Sequence, residues 1–105
     1  MRVLLDECVD RRCKVFFPSV HEVLHVSDVG LHGTKNGQLL RKAAESFDYL
    51  LTIDTKMPFQ TNAKGLRIAI AIMPIRAQSL EAYEPYVQRF LEIAEQLPVG
   101  EFTVI

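Results

Sequence analysis

The sequence contains no tryptophan, only two cysteines and no excess of either charge. With 12 basic and 13 acidic residues its net charge is -1, so the chain as a whole does not predict strong non-specific attraction to nucleic acid. A role on RNA would need a local basic patch. No apolar run approaches the roughly 20 residues of a membrane span, and the first residues lack the pattern of a signal peptide. These absences predict a cytoplasmic protein with no membrane association.

The two cysteines, Cys8 and Cys13, fit neither a CxxC motif nor a zinc knuckle. No second Cys/His pair stands at a spacing that would complete a zinc site. Helical spacing places the two thiols on roughly one face, which predicts two reduced, packed cysteines.

The remaining composition, 49% hydrophobic and 24% charged, is typical of a globular protein, and 105 residues predict one domain over residues 1–105. Apolar runs predict five strands at residues 2–5, 21–26, 49–53, 67–73 and 101–105, the last at a sheet edge. Helical periodicity between them predicts three helices, namely one ending at Pro18, one carrying Leu39–Phe47 and capped by Thr34 or Asn36, and one over residues 80–97 that Pro85 restarts or kinks. This alternation predicts an α/β fold with a mainly parallel sheet covered on both faces.

Two of the predicted strands end in acid. Asp6 and Glu7 follow the first strand, and Asp54 follows the third. Because ligands of parallel sheets bind in the crevice at the carboxyl ends of the strands, Asp6 and Asp54 are expected to meet there. Carboxylates held close together need a cation or a proton between them, and oxygen ligands suit Mg²⁺ or Mn²⁺. Taken singly, each acid could equally cap a helix or face solvent, and Glu7 could face either the crevice or solvent.

Several blocks of the sequence, "MRVLLDE", "GLHGTKNGQLLRKA", "FDYLLTIDTKM" and "RIAIAIM", occur in an order that resembles the small PIN-like proteins of bacteria and archaea. These proteins are related to the ribonuclease toxins of toxin–antitoxin systems, and the resemblance covers essentially the whole chain. It implies a three-layer α/β/α PIN-like fold, Mg²⁺- or Mn²⁺-dependent endoribonuclease activity on RNA and a small antitoxin-type protein partner. The first family acid falls on Asp6, and the acid of the T-x-D pattern falls on Asp54, with Thr52 before it.

The chain departs from the family pattern at two acids. The segment 34–38, where the second acid usually stands, has none, and Lys56 occupies the position of the fourth. The resemblance therefore implies an incomplete acid site that holds one weakly bound ion. Its metal ligands would be Asp6, Asp54, Glu7 and Asn36, its catalytic residues Asp6, Asp54 and Lys56, and its substrate contacts Lys35, Asn36, Thr52, Lys56 and Gln60.

Basic residues that could line the rim of the crevice and bind an RNA backbone stand near predicted helix starts and loops. Phe59 is the aromatic residue that accompanies them, so the sequence alone gives little support for base stacking. The candidate rim residues are Arg11, Arg12, Lys14, Lys35, Arg41, Lys42, Lys56 and Lys64.

Two other interpretations remain open. The acid pair after the first strand and "DTKMP" after the third resemble a response-regulator receiver, in which Asp54 would accept a phosphoryl group. Against this, residues 67–73 run into Met73 and Pro74 without a hydroxyl side chain, and no lysine ends a later strand. A degraded PIN-like scaffold could also be a binding module, held by a protein partner or in a homodimer through its last strand and its 80–97 helix.

Overall fold

The structure, a computed structural model, describes residues 1–76 and 79–105. Five parallel strands form one sheet in the order β2-β1-β3-β4-β5. The strands are β1 (Arg2–Leu5), β2 (Glu22–His25), β3 (Tyr49–Thr52), β4 (Ala69–Ile72) and β5 (Phe102–Val104). All five lie within the predicted runs, and β5 is at an edge as predicted.

Within the described residues, three α-helices and four short 3₁₀ helices lie between the strands. The α-helices are α1 (Asn36–Ser46), α2 (Met57–Gln60) and α3 (Glu84–Ile93). The 3₁₀ helices are Arg11–Phe16, Val26–Asp28, Leu80–Tyr83 and Ala94–Gln96. In the described parts of the chain, no helix is long and apolar enough to cross a membrane.

Successive residues of the central strands point to opposite faces of the sheet and pack into two separate hydrophobic cores. This confirms the α/β fold with helices on both sides of the sheet. On one face, Val3 and Leu5 pack with α3, including the fully buried Phe90. On the other face, Leu4 packs with α1 and with Met57 of α2. Fully buried central strands explain why the strands read as continuous apolar runs rather than alternating ones.

The predicted helix boundaries need correction. The first helix, before Pro18, is the 3₁₀ helix Arg11–Phe16. Neither Thr34 nor Asn36 caps α1, because Lys35 occupies the cap position with extended backbone and makes no capping bond through its side chain. The predicted helix over 80–97 is three pieces, and Pro85 stands in the first turn of the middle one, where a missing N–H costs nothing.

Candidate active site

A crevice opens at the carboxyl ends of β1 and β3. The chain leaves β1 to build β2 on one side and later returns to place β3 on the other, so the direction of strand order reverses here. Such a reversal is where open α/β sheets bind ligands, because the connecting segments diverge and leave a gap. The cavity measures about 590 Å³ and is lined by Asp6, Glu7, Cys8, Val26, Leu31, Gly33, Thr34, Asn36, Leu39, Ile53 and Asp54. We call it the acidic crevice.

Asp6 is held firmly at the end of β1. Its backbone N–H continues the sheet by donating to the carbonyl of Leu51, at 2.9 Å. Asp6 is 6% exposed as a residue. Its carboxylate accepts from the backbone N–H of Glu7 through Oδ1, at 2.8 Å, and from the hydroxyl of Thr52 through Oδ2, at 2.7 Å. Donors on both oxygens compensate for its removal from water.

Thr52 links the two strand-end acids. Its hydroxyl donates to Asp6 and accepts from the backbone N–H of Asp54, at 3.0 Å. Asp54 Oδ1 in turn accepts from the backbone N–H of Lys56, at 2.9 Å, which forms the turn that leads into α2. Short-range hydrogen bonds between side chains and the backbone therefore fix Asp54 from both sides.

Glu7 faces the crevice, where its carboxylate holds the loop that precedes α1. Oε1 accepts from the backbone N–H of Gly33, at 2.6 Å, and lies 3.4 Å from Nδ1 of His32. Gly33 has a φ of +75°, a conformation that side chains other than glycine rarely adopt. The glycine pattern of the loop was the sequence signal for this contact, although sequence alone did not pair the loop with Glu7.

The two cysteines have different environments, so the prediction of two packed thiols is wrong for one of them. Cys13 is buried in the core, and burial raises the pKa of its thiol to about 12. Cys8 is exposed and lines the acidic crevice, with Sγ 3.6 Å from Oδ2 of Asp6. Partial burial of the thiol and the charge of Asp6 raise the pKa of Cys8, despite the hydrogen bond with Thr52 that lowers it.

The lining of the acidic crevice carries three carboxylates, those of Asp6, Glu7 and Asp54, and no lysine or arginine. In residues 1–76 and 79–105, no three His, Cys, Asp or Glu side chains come together as a metal-holding group. A single hard cation does not need such a group, because Mg²⁺ is commonly held by one or two carboxylates, waters and substrate phosphates. The two fixed acids and the amide oxygen of Asn36, also on the lining, are a donor set that fits such an ion.

The other predicted site residues lie around the crevice. Lys35, Lys56 and Gln60 are exposed and are not among its lining residues. Thr52 is fully buried, so its placement does not suit direct contact with a substrate, and it instead positions the acids. Cys8 and Thr34 line the crevice, and the sequence had not singled them out as site residues.

Comparisons with known proteins give no further assignment. No protein-family model matches the chain, no curated protein matches it, and no solved structure matches it.

Proposed function

We propose that the protein is a divalent-metal-dependent endoribonuclease of the PIN-like type with an incomplete acid site. The observation that carries the proposal is the pairing of Asp6 and Asp54. The two acids stand 48 positions apart in sequence and share Thr52 as a hydrogen-bonding partner. They line one crevice without a basic side chain among its lining residues. Fixed carboxylates that receive no compensating cation from the chain are suited to receive one from solution.

Asp6 and Asp54 would hold the ion, with Asn36 as a neutral ligand. Mg²⁺ or Mn²⁺ bound there would polarise a phosphodiester and lower the pKa of a water molecule. Asp54 has its Oδ1 engaged by the N–H of Lys56, and among the described residues Oδ2 accepts no hydrogen bond. Glu7 would complete the ligand set through Oε2, since its Oε1 already accepts from the N–H of Gly33. Lys35 and Lys56, outside the crevice lining, would act on the RNA phosphates rather than on the ion.

Cleavage of RNA with and without Mn²⁺ or Mg²⁺ tests the proposal. Asp54→Asn keeps the shape of the side chain and its accepting Oδ1 while removing the charge. Asp6→Asn also keeps the shape and removes the charge, but it retains only one of the two accepting oxygens. We expect metal-dependent cleavage that each variant loses by at least 100-fold, with unchanged thermal unfolding of Asp54→Asn. Glu92→Gln, which removes an exposed acid on α3 on the opposite face of the sheet, is the matched control and should retain activity. Equal cleavage by wild type and both site variants would refute the proposed site.

A receiver-like phosphoacceptor is a second candidate, favoured by the strand order. The order 2-1-3-4-5 is that of flavodoxin-like sheets, to which receivers belong, and it places Asp54 beside Asp6. However, the positions that follow β4 and β5 carry the buried Met73 and the partly buried Ile105, and neither side chain can bind a phosphoryl group. Incubation with acetyl phosphate and Mg²⁺, followed by intact mass measurement, separates the candidates. An adduct of one phosphoryl group, lost in Asp54→Asn, would favour the receiver.

A small antitoxin-type protein or a second copy of the chain is the partner we propose for the β5 edge. Only one side of β5 is paired within the sheet, and Val104 on it is 64% exposed. An unpaired edge strand offers backbone donors and acceptors to another strand. Sedimentation velocity of wild type and Val104→Lys tests for the homodimer. A monomer at all concentrations would exclude it.

A further inference from the structure

We infer that Phe59 is a base-stacking platform for single-stranded RNA, set on a basic surface that adjoins the acidic crevice. We define the basic surface by Lys35, Arg41, Lys56 and Lys64. The inference deepens the proposed function, on which the choice of RNA rests. Three observations carry it: the exposure of Phe59, its fixed position after Asp54, and the distribution of charge around it.

Phe59 is the most exposed of the large hydrophobic side chains in the described chain, at 89%. It does not contribute to either core, whereas Met57, two residues earlier on α2, is fully buried and anchors the helix. Phe59 therefore offers a flat apolar face to solvent beside the site. Every base offers a face for stacking on such a ring when it is not paired.

The position of Phe59 is set by the site itself. Two hydrogen bonds to Asp54 form the turn that leads into α2. The backbone N–H of Lys56 donates to the carboxylate of Asp54, and the N–H of Met57 donates to the backbone carbonyl of Asp54, at 3.3 Å. Phe59 follows Asp54 by five positions, a span of at most about 18 Å even if the chain were fully extended. A strand of RNA that enters the acidic crevice can therefore reach the ring within a few nucleotides.

Charge around Phe59 differs from that of the rest of the protein. Segments 29–41 and 55–64 contain four of the twelve basic residues, which are those of the basic surface, and none of the thirteen acidic ones. The two segments touch, because a Cβ placed on Gly37 would lie 3.5 Å from the hydroxyl of Thr61. Arg41 lies near that contact, with its Nη1 3.7 Å from the same Cβ position. Glu101, at the start of β5, lines a groove with Pro58 and Asn62 and borders the basic surface.

The cations of these two segments are available for phosphate. The lysines and arginines that form ion pairs in residues 1–76 and 79–105 are Arg2, Arg11, Arg12 and Lys14, all in the first 14 residues. No lysine or arginine of the basic surface is in an ion pair with a described residue. An unpaired basic surface with one exposed aromatic ring favours a polyanion with unpaired bases over an apolar protein partner.

The test measures binding without cleavage, using Asp54→Asn in metal-free buffer with chelator. The probes are 12-nucleotide single-stranded RNAs that carry 2-aminopurine at successive positions, and the same RNAs annealed to their complements. Stacking on Phe59 should quench the fluorescence of one position in the single strand. The double variant, which combines Asp54→Asn with Phe59→Ala, should lose that quenching and bind the single strand roughly 5- to 150-fold more weakly. Phe59→Trp should restore both.

Two matched controls separate stacking from general effects. Val20→Ala removes another exposed apolar side chain, 79% exposed and before β2, and should leave binding within twofold. Lys64→Gln should reduce the slope of log affinity against log salt by about 0.7. Arg89→Gln, on α3 and so on the opposite face of the sheet, should not change that slope.

Four results would overturn the inference. Two are comparisons: Phe59→Ala binds single-stranded RNA as tightly as the protein that keeps Phe59, or the annealed RNA binds as tightly as the single strand. The other two are no binding of single strands at 0.1 M salt, and a change of oligomeric state in Phe59→Ala with RNA binding intact. The last would assign the ring to a protein interface. Phe59-dependent binding without any metal-dependent cleavage would refute the ribonuclease while leaving the stacking surface in place. Cleavage with Phe59-independent binding would do the reverse.

Discussion

Removal of the Thr52 hydroxyl should destabilise the protein and disorganise both strand-end acids. Thr52→Val keeps the shape of the side chain and its preference for a strand, but leaves Oδ2 of Asp6 and the N–H of Asp54 without their partner. A hydrogen bond to an ionised carboxylate contributes about 1.5–3 kcal/mol, and Asp6 is almost fully buried. We expect a loss of about 2–3 kcal/mol of unfolding free energy, which lowers Tm by roughly 10–20 °C.

Urea unfolding of four proteins measures this loss and locates its cause. The set is wild type, Thr52→Val, Asp6→Asn and the double variant. With a neutral partner at position 6, the hydroxyl should contribute only about 1 kcal/mol, so the coupling energy between the two sites should be about 1–2 kcal/mol. Thr103→Val is the matched control, since Thr103 lies in β5 and makes no side-chain hydrogen bond with a described residue.

The reasoning is refuted if Thr52→Val unfolds within 0.5 kcal/mol of wild type, the range of an ordinary surface substitution. It is also refuted if the cost is the same with Asp6 or Asn at position 6, because the hydroxyl would then stabilise something other than the carboxylate. A cost as large for Thr103→Val would show a general effect of valine in these strands rather than a property of the site.

Three further predictions follow from the same structure. Because its pKa is raised, Cys8 should react slowly with iodoacetamide at pH 7 and faster above pH 9, whereas the buried Cys13 should not react before unfolding; mass spectrometry of each single-cysteine variant measures this. The hydrogen bond from Arg12 lowers the pKa of Asp10, so its contribution to stability is present above the ordinary value of 3.8 and is lost as pH falls through the folded-state pKa; Asp10→Asn should therefore lose less stability on acidification below pH 4. Phe90→Ala should cost about 3–5 kcal/mol in urea unfolding, because the ring is fully buried and meets two other aromatic rings edge to face.

The strands and their common polarity could be predicted from sequence because burial on both faces leaves a strong signal. The run Ala69–Ile72 is fully buried along its whole length, and no helical or alternating pattern competes with it. Because the strands were predicted to be parallel, Asp6 and Asp54 could be placed at the same edge of the sheet, where the carboxyl ends of the strands lie. The PIN-like family and the ribonuclease activity stay predictions that the experiments above address.

Features that depend on contacts distant in sequence could not be predicted. The sequence allowed Glu7 to face either the crevice or solvent. Its orientation depends on the hydrogen bond that its Oε1 accepts from the N–H of Gly33, 26 positions later. Cys8 and Cys13 share helical spacing, but the first turn after Asp6 is not helical, so one thiol faces the crevice and the other the core. Lys35 precedes α1 without a capping bond, although better capping residues stand on both sides of it.

Charge is the property in which the sequence total was least informative. A net charge of -1 averages an acidic crevice with a basic surface that adjoins it, and averaging hides both. The carboxylates of Asp6 and Asp54 would repel an RNA phosphate, while Lys35 and Lys56, just outside, would attract it. A cation in the crevice changes the sign of the first interaction and leaves the second unchanged. Affinity for RNA on the basic surface should therefore persist without metal, while entry of a phosphate into the crevice should require it, and the cleavage and fluorescence experiments separate these two steps.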